Sequence, residues 1–438
     1  MTLVRAELVF AGDRWERRHG FVMQGGGILA TGKPADLAEE FPDHEVDDWG
    51  DVAVVPGCVN AHAHSFQALL RGVGDDLSFM RWRDRVLYPF SERLDRDGIR
   101  AGALFDFAEM LRAGITTVVD FFYLHDRGNE NDLAVIEAAG EIGLRIVLAR
   151  CMYDWAGAPK RYQEPPAVAV RHTRELHDAV RGNARAFVQP APHSIHGASP
   201  ETIQAGAALA EELDTPFHIH VAEGRYEREM SIERHGMSPV RFLDSLGVLS
   251  ARTLLVHCVW VDEEDLALIA ERDGRIVHNA SANAFLGDGI APLRRMLSRH
   301  IPVALGTDGG CTNSRQSIFE EMRMAALLAK AVEADAEAVR AEDVLLAGTV
   351  RGGQALGLPV GRIAPDHAAD LVVLDLSSLS LQPKTTAPKQ VVYAMQPDAI
   401  QRVIVGGETV VEEGRLLRTD PAAIVAKVAE VTKGWESP

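Results

Sequence analysis

From Pro56 to roughly Gly348 the chain alternates short apolar runs with longer segments whose apolar residues recur every three or four positions. The first pattern predicts strands and the second helices. The runs are 54–59, 116–122, 145–150, 186–191, 216–221, 253–258, 275–278 and 302–307, and helical spacing fills stretches such as 99–113, 131–141, 200–212, 262–271 and 293–299. Eight such units in series predict an α/β chain folded as a TIM-type (β/α)8 barrel over residues 56–361. The 3.6-residue stripes are then helix faces packed on the barrel rather than cofactor boxes.

The flanks differ. Stretches 3–10, 20–29 and 51–55 at the front, and 370–376, 390–395 and 402–411 at the back, are short β-type runs broken by glycine and aspartate. They predict one small β domain drawn from residues 1–55 and 362–438. Gly406-Gly407-Glu408 marks a hairpin turn, 420–433 a terminal helix, and the Pro165-Pro166 neighbourhood a loop.

With 438 residues, of which 47% are hydrophobic, the chain can bury a large core and exceeds one simple domain. The formal net charge of −18 argues against a nucleic-acid or anionic-membrane partner, because either needs a basic footprint. Residues 1–8 lack a basic segment followed by a long apolar one, and no later stretch approaches a membrane span, which predicts a cytoplasmic location. Cys58, Cys151, Cys258 and Cys311 form no CxxC pair. They are expected to be small buried apolar residues, not a zinc ribbon.

Candidate chemistry concentrates at the ends of the runs. His62-Ala63-His64 closes an apolar stretch, and in an extended strand residues two apart share a side, so both imidazoles can face one cation. His218 and His220 share one side of 216–221, His257 ends 253–257, and Asp308 ends 302–308. A parallel barrel brings strand ends to one mouth whatever their separation in sequence. Three imidazoles and a carboxylate suit zinc or another first-row divalent ion. By alternation alone His218 or His220 is the ligand. Glu223 is either part of the site or a solvated member of the charge run 223–229, and Asp308 is either a ligand or a helix cap. Trp82 and Phe285 either cover a planar substrate or belong to the core, and His125, His172, His177, His235 and His300 read as surface or loop histidines.

The motifs Pro56-Gly-Cys-Val-Asn-Ala-His-Ala-His64, Gly114-Ile-Thr-Thr-Val, His220-Val-Ala-Glu223, Val256-His257 and Gly306-Thr-Asp308-Gly resemble the hydrolytic deaminases of the amidohydrolase superfamily over nearly the whole chain. That resemblance implies a distorted (β/α)8 barrel, a β-sandwich built from both termini, a homodimer, and a single divalent metal, zinc first with iron or manganese as alternatives. It implies His62, His64, His220 and Asp308 as metal ligands. It further implies His257 as the residue holding the water or the reacting substrate, Glu223 as the proton shuttle, and Asp308 as a second proton relay.

Two subgroups compete for the substrate. His64-Ser-Phe-Gln67, Trp82-Arg83, Phe122-Tyr123-Leu-His125, His193-Ser194 and 286–290 resemble N-formimino-L-glutamate deiminases, in which positions matching Gln67, Arg83, Tyr123 and His193 touch substrate. An arginine of that subgroup is His196 here, which counts against recognition of an amino-acid carboxylate. Segments 70–77, 277–283 and 319–326 resemble the group acting on aminated heterocycles such as purines, pterins, nucleosides and triazines. Without the resemblance, Gln67 and Arg83 read as exposed side chains on a helix after a strand, and Tyr123 and His196 carry no site signal of their own.

The expected function is therefore a metal-dependent hydrolytic deaminase. It attacks an amidine-type carbon of an aminated heterocycle with hydroxide made available by the metal, and releases ammonia. N-formimino-L-glutamate deiminase is the alternative, followed by loss of chloride or an alkylamine from a triazine-like ring.

Overall fold

The computed structural model describes residues 1–435. Among them, the barrel strands run in sequence order as Cys58–His64, Ile115–Phe122, Arg145–Met152, Ala186–Pro192, Phe217–Val221, Thr253–His257, Arg275–His278 and Val303–Leu305, the last continued past Gly306-Thr307 by Asp308–Gly309. All neighbouring pairs are parallel. Asp308–Gly309 pairs back onto the first strand, and a single bridge from Ser194 to His220 joins the fourth strand's end to the fifth. The fold is thus a (β/α)8 barrel hydrogen-bonded as two arcs, one of five strands and one of four. The breaks fall at the site, where chain ends splay toward a common mouth.

Most strand and helix positions agree with the hydrophobic pattern, and four do not. The run 54–59 is two strands. Val52–Pro56 belongs to the terminal sheet and Cys58–His64 to the barrel. Gly57 makes the transfer, because a Cβ there would lie 2.1 Å from Thr116 Oγ1. Stretch 20–29 spans a hairpin, Arg14–Gln24 and Gly27–Gly32, turned by Gly25 and Gly26 at φ 59° and 84°. Stretch 390–395 lies largely in a helix, Ala387–Tyr393, because Pro388 suits a first helical turn and the Val391-Val392 pair has no strand beside it. Pro166 likewise opens the helix Pro166–Ala179, where a loop was expected.

The terminal segments form one sheet, nine strands among the described residues, in which Leu371–Asp375 from the back pairs with Val52–Pro56 from the front. Alternation explains its continuous apolar runs. Val52, Val54, Leu371 and Val373 pack into a core of the sheet's own, while Ala53, Val55, Val372 and Leu374 join the barrel's core. Both faces are buried, so neither strand shows polar alternation. The four cysteines are free and buried, and no helix among the described residues is long and apolar enough to cross a membrane.

Candidate active site

Positions 62 and 64 lie on the first strand with every residue of that strand buried, so both imidazoles point into the barrel. His62 Nε2 lies 3.2 Å from His220 Nε2 and 3.6 Å from Asp308 Oδ1, and His64 Nε2 lies 3.4 Å from the same oxygen. His64 Nδ1 donates to Phe121 O at 2.6 Å, and His220 Nδ1 donates to His193 O at 2.8 Å. Fixing the proton on Nδ1 leaves each Nε2 lone pair facing inward. Burial drives these rings toward the neutral form: His62 falls to about 3, His64 is lowered, and His220 lies well below its ordinary value. Burial pushes the Asp308 carboxyl up, but the His62 hydrogen bond and the surrounding histidine rings override it and hold it well below the usual carboxylate range. The nitrogens of His62, His64 and His220 converge in a buried space and Asp308 Oδ1 lies 3.6 and 3.4 Å from the first two, a donor set that fits a divalent cation.

Glu223, His257 and Asp308 form a second convergent group, with ligating atoms within 4.8 Å of one another. His257 Nε2 lies 3.7 Å from Glu223 Oε1. The side-chain amides of Asn279 and Asn283 reach His257 Nδ1 at 3.2 and 3.0 Å and hold the ring. Ala222, His257 and Asp308 all take positive φ, 52°, 80° and 62°, so the ends of the fifth, sixth and eighth strands are strained where they face the site. Glu223 is buried, which overturns its solvated reading. Burial, then Asp288, Asp308 and Glu227, pushes its carboxyl well above the usual range. The carboxylate of Glu227 accepts the Glu223 backbone N–H at 3.0 Å.

The remaining candidates surround this centre. Gln67 is buried and donates to Tyr123 OH at 2.5 Å, so neither is an exposed side chain. His193 packs its ring 4.3 Å from Tyr153 and 4.9 Å from His220. His196 is mostly covered, pushed down to about 4 by burial and then Arg83, with Nδ1 4.0 Å from Glu227 Oε1. Arg83 has 15% of its side chain exposed, pairs with Asp84 at 2.8 Å and lies between the rings of Tyr88 and Trp155. Trp82 is buried and Phe285 exposed.

Other histidines divide differently from the surface reading. His218 donates to Gln189 Oε1 at 2.7 Å inside the barrel, apart from the cluster that holds His220. His125 is buried against Asp132 at 3.2 Å, because the loop after the second strand folds inward, and His172 bonds Glu164 at 2.6 Å. Asp308 does not cap the following short helix; the backbone N–H that reaches its Oδ1 is that of the adjacent Gly309, at 2.8 Å. Sequence reasoning missed Asn279, Asn283, Glu227 and Asp288. The i, i+4 spacing of 279 with 283 and of 223 with 227 was the available signal.

A sequence model described as the Amidohydrolase family matches residues 53–410. The chain belongs to the amidohydrolase family. It is a hydrolase of carbon–nitrogen bonds. Among its relatives is the 5'-deoxyadenosine deaminase of Methanothermobacter thermautotrophicus, 35% identical over 402 residues, 91% of each chain. An adenosine deaminase from Xanthomonas campestris solved with bound zinc superposes with a TM-score of 0.91 at 30% identity, covering 98% of this chain and 97% of the other. The atrazine chlorohydrolase of Arthrobacter aurescens, complexed with zinc, gives 0.91 at 26% identity, covering 98% and 100%.

Proposed function

We propose that this amidohydrolase is a hydrolytic deaminase of an aminated heterocycle, an adenine-type nucleoside first, using one divalent cation, zinc, held by His62, His64, His220 and Asp308. The observation that carries the reading is the buried Glu223 facing His257 at 3.7 Å beside Asp308. The identity shared with deaminases over nine-tenths of the chain supports the same chemistry.

A cation held by His62, His64, His220 and Asp308 would supply Lewis acidity, which lowers the pKa of water from about 15.7 toward about 7. Glu223 takes a proton from the attacking water and delivers it to the ring nitrogen beside the amidine carbon, which makes that carbon electrophilic. Burial and its acidic neighbours push the Glu223 carboxyl well above the usual range, so its carboxylate has the proton affinity to take up the proton of the attacking water before passing it to the ring nitrogen. Asp308 relays the second proton to the leaving amine. His257, steadied by two amides, and His193 stabilise the charge that builds on the substrate. Gln67, Tyr123, Arg83 and His196 line the approach and contact the rest of the substrate.

A formimino-glutamate substrate is not favoured, because His196 stands where that subgroup carries a carboxylate-binding arginine. Loss of chloride or an alkylamine from a triazine is kept as a second reading on the 0.91 superposition with atrazine chlorohydrolase. The net charge of −18 argues against nucleic-acid and anionic-membrane partners, and the family resemblance supports a homodimer. The proposed domain limits are 56–361 for the barrel, with 1–55 and 362–438 forming the small β domain, of which 436–438 lie outside the described residues.

The test is ammonia release by zinc-loaded protein across adenosine, 5'-deoxyadenosine, methylthioadenosine, guanine derivatives, pterins, aminotriazines and formimino-glutamate, with chloride followed on chlorotriazines. Ammonia from an aminated purine supports the proposal. Chloride release without ammonia, or turnover of formimino-glutamate alone, replaces it.

A further inference from the structure

Glu321 is fully buried on the helix Ile318–Glu333, which follows the eighth strand, and its two oxygens reach two different elements. Oε2 accepts the backbone N–H of Ser281 at 3.0 Å, and Oε1 accepts the side-chain amide of Asn313 at 2.9 Å. Ser281 belongs to the short helix Ala280–Phe285 after the seventh strand, between the two asparagines that hold His257. The Asn313 amide also donates to Thr307 O at 2.8 Å, and Thr307 immediately precedes Asp308. From the other side, the Asn60 side-chain amide donates from Nδ2 to Thr307 Oγ1 at 2.7 Å and accepts the Thr307 N–H on Oδ1 at 3.0 Å. A single carboxylate therefore links the segment that aims His257 to the segment that aims Asp308.

We propose that Glu321 is a positioning residue that holds His257 and Asp308 in register across the reacting centre by tying Ser281 to Asn313. The chemistry of the partners explains why a carboxylate stands here. Both are N–H donors, so the position needs two acceptor atoms held a fixed distance apart. Besides burial, the groups acting on it are Ser281, Asn313 and Glu320, none of them cationic. An unpaired buried carboxylate is costly, and an apolar side chain would pack there without that penalty. Glutamine cannot replace it neutrally. Its NH2 faces either Ser281 N–H or the Asn313 amide, and an Asn313 amide that turns to accept from it gives up Thr307 O.

The inference rests on the deaminase reading for its kinetic arm only. Glu321→Gln, Asn313→Ala and the double variant are compared with the unaltered protein in kcat, KM, bound zinc per chain and Tm, and the crystal structure of Glu321→Gln is solved. Each single variant is expected to lose about tenfold to a hundredfold in kcat, the range seen when groups supporting a metal site are removed. KM stays within about threefold, zinc content and Tm are retained, and the double variant is no worse than the poorer single, because both act through one linkage. The crystal structure shows His257 displaced relative to Asp308. Unaltered kcat in Glu321→Gln overturns the proposal. So does a fall in kcat matched by losses of zinc, substrate affinity and Tm, which marks a merely structural residue. If Glu321→Gln does not fold, Asn313→Ala decides by the same criteria. If the unaltered protein releases no ammonia from any compound, the deaminase reading falls alone and the crystal structure judges the brace: unmoved His257 and Asp308 overturn it.

Discussion

His62 Nε2 and His220 Nε2 lie 3.2 Å apart although 158 residues separate them in the chain. Each comes from a strand whose local sequence places it on the inward face, and barrel closure does the rest. Two imidazole nitrogens so close, with a carboxylate oxygen 3.6 Å from one of them, are incompletely satisfied by protons alone. Stability should therefore depend on a divalent cation. Zinc at a hundredfold over its Kd is expected to stabilise the fold by about 2.7 kcal/mol, read as a rise in Tm that a chelator reverses. An unchanged Tm with and without zinc would remove the metal site.

His218 and His220 share a strand face, which makes them a matched pair for locating the cation. His220→Ala is expected to lose bound zinc and the zinc-dependent Tm shift. His218→Asn is expected to keep both, because His218 is engaged with Gln189. Zinc content per chain, measured by atomic emission, separates the two, and equal loss in both variants would contradict the assignment.

Glu223→Gln keeps the size of the side chain and removes its titratable proton. Ammonia release is expected to fall by about a hundredfold to ten-thousandfold, the range for a lost general acid or base, with zinc content unchanged. A variant retaining more than a tenth of the parent kcat would move the proton transfer to another group.

The barrel and the side chains that converge at its mouth were legible because strand ends carry their own polar signatures: His62, His64, His220, His257 and Asp308 each close an apolar run. What stayed illegible lay where one cue served two structures. Val391-Val392 looks alike in a strand and in a buried helix face, and Pro165-Pro166 marks a loop as readily as a helix start. The groups behind the site were hidden for another reason. Asn279, Asn283, Glu227 and Glu321 act by hydrogen bonds between elements, and no periodicity encodes the partner of a side chain.

Glu227 supplies a pH prediction with a definite sign. Burial raises its carboxyl from 4.5 to about 8, so the folded state resists its ionisation. The stability it contributes is fully present below about pH 4.5 and is lost as pH rises through about 8. Glu227→Gln keeps an acceptor for the Glu223 N–H and cannot ionise. Its Tm should exceed the parent's at pH 9, and the difference should vanish near pH 5. Thermal melts that run parallel across that range would show that Glu227 does not titrate with folding.

Arg150 is fully buried on the third strand, with Glu164 at 2.7 Å, the Asn129 side chain at 2.8 Å and Asp132 at 3.6 Å. Burial pushes the Glu164 carboxyl up, but the Arg150 hydrogen bond and the nearby charges of His125 and Arg150 hold it below its ordinary value. Arg150→Ala leaves buried Glu164 and Asp132 with only His172 and His125 beside them, and breaking such a buried ion pair costs about 3–5 kcal/mol. A fall in the urea midpoint at unchanged m-value is the expected reading, and a shift below about 1 kcal/mol would place these charges in water. The same cluster fixes the segment that carries Tyr162, whose ring lies 4.9 Å from Tyr123, the partner of Gln67. If Tyr123 contacts substrate as proposed, loosening the cluster should raise KM more than it lowers kcat, because Glu223 and Asp308 stand on other parts of the barrel mouth.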